Sequence, residues 1–141
     1  MKIIGENLET LLMAAALGQL AIAVINLSLV RILGWKDELD GMSPLLRDVF
    51  HVHKYFISIT LVLFGIITLR FAGELAAGTN ELGRWLAVGI ACFWGIRAVM
   101  QWAYYSWDHW KGQPGRILVH LILTGCYGGC GLVYLYAGLR T

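Results

Sequence analysis

Four long apolar stretches are the feature that most constrains how this chain can fold. We predict membrane spans at about residues 11–33, 48–72, 84–107 and 116–139. Each stretch is long enough for a helix to cross the hydrocarbon core, which takes about 20 residues. Only 14% of the residues are charged, whereas a soluble domain has about 25%. The sequence therefore predicts an integral membrane protein in contact with the lipid bilayer, and we expect it in a bacterial inner (cytoplasmic) membrane.

Short connections between the four spans predict the fold class. Helices joined by short loops pack as antiparallel neighbours, so we expect an all-α fold, an antiparallel up-down bundle of four transmembrane helices. We predict a single domain over residues 1–141, with a short turn at 73–83. Small residues at a spacing of seven in the second span, Ser58, Gly65 and Ala72, predict the face that packs against other helices.

Glycines are concentrated in the last span. Gly125, Gly128, Gly129 and Gly131 all lie within seven residues of one another. A glycine lets two helix backbones approach closely, because it has no Cβ atom. We therefore predict that this segment is a site of close helix packing.

Charge and cysteine usage narrow the function classes. The net charge is +2 without a basic cluster, which argues against a nucleic-acid partner. The three cysteines, Cys92, Cys126 and Cys130, lie in apolar stretches and lack the CxxC spacing of a zinc or redox pair. We interpret them as small core residues.

A polar stripe interrupts the third span. Arg97, Gln101, Tyr104 and Asp108 share one helical face, at positions i, i+4, i+7 and i+11. A charge near the bilayer centre costs about 2.5–3.5 kcal/mol on insertion scales and usually faces a bundle interior or cavity. No acid lies at the depth of Arg97, so its partner is expected among carbonyls, Asn26, Gln101, water or an anionic ligand. The alternative is an arginine that snorkels toward the membrane surface.

That stripe supplies the predicted cofactor-binding residues, which are Arg97, Gln101, Tyr104 and Asn26.

Histidines near one membrane face supply candidate metal ligands. His51 and His120 are expected at similar depth, where they can ligate the iron of haem b or part of a transition-metal site (Fe, Cu or Zn). His53, His109 and Asp108 can complete a non-haem site. A regular helix places His53 about 200° from His51, so the two cannot face one point. The alternative is a set of interfacial histidines bonded to neighbours or lipid headgroups.

A weak internal repeat relates the two halves of the chain. Segments 35–51 and 107–120 both contain Trp, Gly and Pro in this order, followed by Arg-x-x-x-His. A duplication would place a pseudo-twofold axis along the membrane normal and relate His51 to His120 on diagonal helices. The interfacial preferences of arginine and proline explain the similarity equally well.

These features support three functional hypotheses. The first is a small membrane redox or electron-transfer protein with a pocket that opens at one membrane face. That pocket would bind haem or a metal, and Arg97 would neutralise a propionate, a quinone oxygen or an anionic substrate. The second is a non-catalytic accessory subunit of a larger membrane complex, or a homo-oligomer. The third is a carrier for an anion or another small substrate at Arg97. The sequence contains no GxSxG, HExxH or P-loop motif, so whether the protein is an enzyme stays open.

The predicted topology can be tested by cysteine labelling. The face with loops 34–50 and 108–115 carries more Lys and Arg, which places it in the cytoplasm. Single cysteines at Thr10, Gly78 and Thr141 should therefore react from outside, and those at Asp40 and Lys111 from the cytoplasmic side. Mixed labelling within either group would contradict the four-span topology.

Overall fold

The computed structural model describes residues 7–104 and 114–140, with side chains for 7–104 and 117–140. The described residues form helices and no strands. Their helices are α1 (Leu8–Leu33), α2 (Lys36–Asp40), α3 (Pro44–Ala77), α4 (Glu81–Ala103) and α5 (Pro114–Leu139). Four of these, all except α2, contain segments that are long and apolar enough to cross a membrane. The predicted fold class, an all-α membrane bundle, is confirmed.

The loop predicted at 73–83 is shorter in the structure, because α3 runs to Ala77 and α4 begins at Glu81. The last residues of α3 are Glu, Leu and Ala, which favour a helix. Gly78 then adopts a positive φ of 66°, the conformation that typically ends a helix. The side chain of Asn80 accepts hydrogen bonds from the backbone N–H groups two and three residues later and so caps α4. Local capping chemistry thus corrects the predicted turn.

The chain clusters into two compact units, which we name by their place in the sequence. The central unit consists of residues 16–70, and the terminal unit consists of residues 1–15 and 71–141. The boundary in α3 coincides with a kink at Phe71, whose φ of −119° and ψ of 21° are not helical.

Antiparallel packing of α1 on α3 builds the central unit. The amide nitrogen of Asn26 donates to the Lys54 carbonyl oxygen at 3.1 Å and to the Ser58 hydroxyl at 2.9 Å. Earlier in α1, Leu20 lies against Gly65, which is later in α3. A Cβ atom at Gly65 would come within 2.8 Å of the Leu20 side chain. The close approach therefore depends on a glycine at this position.

Antiparallel packing of α4 on α5 builds most of the terminal unit. The Arg84 Nε donates to the Gly138 carbonyl oxygen at 3.4 Å, and Gln101 near the other end of α4 bonds to His120. A Cβ atom at Gly138 would lie 2.6 Å from the Val88 side chain and 3.0 Å from the α4 backbone. The two helices thus approach most closely where α5 lacks a side chain.

The predictions of packing residues hold for α3 and only in part for α5. Ser58, Gly65 and Ala72 are buried, as their spacing predicts. Among the glycines of α5, Gly131 lies 3.6–3.7 Å from atoms of α4, measured from its Cβ position. The other three, Gly125, Gly128 and Gly129, have no such neighbour within 4 Å in the part of the chain that the structure describes. These three glycines therefore make no close contact with α4 in the described structure. Gly125 and Gly129 lie on other faces of α5 than Gly131, whereas Gly128, one helical turn before Gly131, has open space beside it.

Candidate functional site

A buried polar pair joins α4 to α5. Gln101 and His120 are 2% and 3% exposed, and the Gln101 Nε2 lies 3.0 Å from the His120 Nδ1. An amide nitrogen only donates, so in this orientation Nδ1 accepts and the imidazole proton is on Nε2. The ring of His120 also packs edge-on against Trp102, with centroids 5.0 Å apart. These contacts fix both the position and the rotation of the imidazole.

The other end of the Gln101 amide is unsatisfied. Its Oε1 is buried and has no hydrogen-bond partner among residues 7–104 and 117–140. A buried acceptor without a donor costs about 1–3 kcal/mol, more than a typical hydrogen bond contributes. An O–H or N–H donor on a bound molecule would remove this cost.

Arg97 lies one helical turn before Gln101, on the same face of α4. Its guanidinium carbon is 4.6 Å from the centroid of the Tyr127 ring, and that ring stacks on Trp94 with centroids 5.3 Å apart. Cation–π contacts of this kind contribute about 0.5–2 kcal/mol. The two aromatic rings therefore support the flat face of the guanidinium.

The five N–H donors of the guanidinium lie in its plane, so the stack does not satisfy them. Within the described residues, Arg97 has neither an ion pair nor a hydrogen bond from its side chain. The predicted stripe thus brings together a cationic donor at Arg97 and an unsatisfied acceptor at Gln101.

The partner Tyr127 was not predicted for Arg97. It follows His120 by seven residues, which places both on one face of α5. This spacing is the sequence feature that could have indicated Tyr127. The aromatic neighbours Trp94 and Trp102 were not predicted either. Trp102 lies toward a membrane surface, where tryptophan is common for other reasons, and no spacing singles out Trp94 in the middle of the span.

Tyr104 lies at the end of α4, where its backbone N–H bonds to the Met100 carbonyl. Its side chain is 78% exposed. Asp108 and His109 lie outside the described residues, so their predicted metal-binding role stays a prediction.

Other predicted site residues lie in the central unit. Asn26 uses its amide donors on α3, as described above, and so joins two helices. His51 lines a groove with Arg31 and Arg47, whereas His53 lines a different groove with Asn26. This separation confirms that the two histidines do not face one point. His51 belongs to the central unit and His120 to the terminal unit, so their pairing stays a prediction.

No three or more His, Cys, Asp or Glu side chains in residues 7–104 and 117–140 are placed to hold a metal ion. A haem iron needs only two axial ligands from the protein, so the absence of a three-ligand group among these residues does not bear on haem binding.

Comparisons with known proteins give no match, either to a family model, to a curated protein or to a solved structure. The fold and composition define the class: this is a small helical protein of the integral membrane type, whose spanning helices contact the lipid bilayer.

Proposed function

We propose that this membrane protein binds the polar head of a quinone-type molecule at Arg97 and Gln101, and that it takes part in membrane redox chemistry. The observation that carries this proposal concerns the described residues 7–104 and 117–140: among them, the buried Gln101 Oε1 has no donor, and the Arg97 guanidinium one turn away has no acceptor. A quinone oxygen accepts hydrogen bonds from Arg97. The hydroquinone form of the same ligand carries hydroxyls in place of the two carbonyls, and one of these hydroxyls donates to Gln101.

The chemistry of Arg97 and Gln101 favours a quinone-type ligand over a simple anion. A carboxylate or a phosphodiester would satisfy Arg97, but neither carries a proton to donate when it is ionised. Gln101 Oε1 would then stay without a donor. A quinol offers donor and acceptor together, so it satisfies both groups. Transport of a simple anion would therefore account for Arg97 but not for the buried oxygen of Gln101.

Haem or metal binding is a second candidate, and the Gln101–His120 bond favours it. Rotation of the amide by 180° places Oε1 on Nδ1, where it accepts the proton of the other imidazole tautomer. Metal-ligating histidines are commonly held in this way through their second nitrogen. His120 would then ligate haem b iron, or Fe, Cu or Zn, through Nε2. His51 stays the predicted second ligand, and Arg97 would neutralise a propionate.

The quinone proposal predicts different effects on the two redox forms. Calorimetric titration of the protein in nanodiscs should show binding of both a short-chain benzoquinone and its hydroquinone. Gln101→Leu removes the acceptor for a hydroxyl, at a cost of about 0.5–1.5 kcal/mol. Loss of the bond to His120 affects both forms alike, so the lost acceptor should appear as an additional weakening of about two- to tenfold in hydroquinone binding relative to benzoquinone binding.

Gln19→Leu is the matched control, because Gln19 is also a fully buried glutamine but lies in the central unit. This variant should bind both forms as the wild type does. Equal binding of hydroquinone by wild type and Gln101→Leu would contradict the proposal that Gln101 Oε1 accepts a hydrogen bond from the ligand. Absence of binding to either form would favour the accessory-subunit hypothesis, in which the polar stripe contacts another protein.

The haem candidate has a spectroscopic test. Detergent-purified protein should show a Soret band that sharpens on reduction. His120→Ala should abolish the band, and His53→Ala should retain it. Colourless protein that elemental analysis finds free of iron, copper and zinc would exclude this second candidate.

A further inference from the structure

The central unit contains a polar groove, separate in sequence from Arg97 and Gln101. It lies where α1 ends, α2 crosses and α3 begins, and its volume of about 680 Å³ is typical of ligand pockets. We call it the basic groove. Its charged and titratable lining residues are Arg31, Lys36, Asp40, Arg47 and His51.

Positive charge exceeds negative charge in this lining. Asp40 is the acid of the groove, and it lies 3.4 Å from Lys36 Nζ and 3.8 Å from Arg47 Nη1. Arg31 has no carboxylate partner among the described residues. Three cations therefore face one carboxylate, which leaves an excess of two positive charges, counted without His51.

The surrounding segment is not basic as a whole. Its other acids, Asp37, Glu38 and Asp48, are exposed and do not line the groove. Exposed charges are screened by salt over about 8–10 Å. Asp37 and Asp48 adjoin Lys36 and Arg47 in the sequence and lie within this distance, so attraction for an anion rests on direct contact with the cations of the groove and not on the net charge of the segment.

The position of the groove suits a lipid. It lies at the ends of two apolar spans, next to an exposed Trp35, and tryptophan prefers the membrane–water interface. Leu27 and Val30 extend its wall along α1 into the apolar span. The groove thus joins a cationic mouth at headgroup level to an apolar wall.

We propose that the basic groove binds the phosphate of an anionic phospholipid, with one acyl chain lying against Leu27 and Val30. Arg31 and Arg47 supply planar forks of donors that match phosphate oxygens, and Lys36 adds a point charge. Basic pockets at membrane surfaces bind anionic headgroups in this way. Free phosphate offers the same oxyanion but has no acyl chain for the apolar wall.

Native mass spectrometry of the full chain, released from detergent micelles, tests this site. Phosphatidylglycerol should bind in preference to phosphatidylcholine with the same acyl chains. Each cation near the surface contributes about 1 kcal/mol, so Arg31→Gln and Arg47→Gln should each weaken phosphatidylglycerol binding about fivefold. Arg31→Gln breaks no ion pair in the described structure, so it separates lipid binding from folding.

Arg70→Gln is the matched control, because it removes the same charge from the far end of the membrane-spanning part of α3. Binding should survive in this variant. Equal binding by wild type, Arg31→Gln and Arg47→Gln would overturn the site, as would an equal loss in Arg70→Gln. Millimolar inorganic phosphate should not displace the lipid, and displacement would overturn the lipid in favour of a free phosphate.

Discussion

The hydrogen bond between Gln101 and His120 is the interaction on which the terminal unit depends. Both side chains are buried in helices that are otherwise apolar, where water is not at hand to replace a lost partner. The bond therefore fixes the register of α4 against α5. Close approach at Gly138 reinforces the same register at the other end of the helix pair.

The amide side chains Asn26 and Gln101, one in each unit, differ in how deeply they are buried. In the central unit, Asn26 donates to both Lys54 and Ser58, so its nitrogen is used in joining α1 to α3. In the terminal unit, the Gln101 nitrogen bonds to His120, and its buried Oε1 has no partner among the described residues, whereas Asn26 is only half-buried. Asn26 thus joins two helices, whereas the Gln101 oxygen is a buried acceptor that a donor on a bound ligand would satisfy.

The sequence predicts the parts of this structure that follow from periodicity and hydrophobicity. The four spans, the shared face of Arg97 and Gln101, and the divergence of His51 from His53 all follow from helical geometry. The length of the turn after α3 and the formation of α2 did not, because capping and local contacts decide where helices end.

The contacts across helices were harder to predict. Nothing in the spacing of α4 alone indicates which residue of α5 supports Arg97, since this depends on the register that Gln101 and His120 set. The burial of Gly131 but not of Gly125, Gly128 and Gly129 follows from the same register. The lack of a donor for the Gln101 oxygen could not be predicted from the sequence, because it depends on which groups of the neighbouring helix surround this atom.

The central claim is that Arg97 exists to contact a ligand. The most direct measurement is the melting temperature of Arg97→Met beside its affinity for the benzoquinone. If Arg97 binds a ligand, the apolar variant should melt at an equal or higher temperature, because it removes the desolvation cost of a charge. Its affinity should fall about tenfold or more, and Arg97→Lys should restore little, because an ammonium lacks the planar fork of donors. A variant that binds as tightly as the wild type would contradict this claim at any melting temperature and make Arg97 a structural residue.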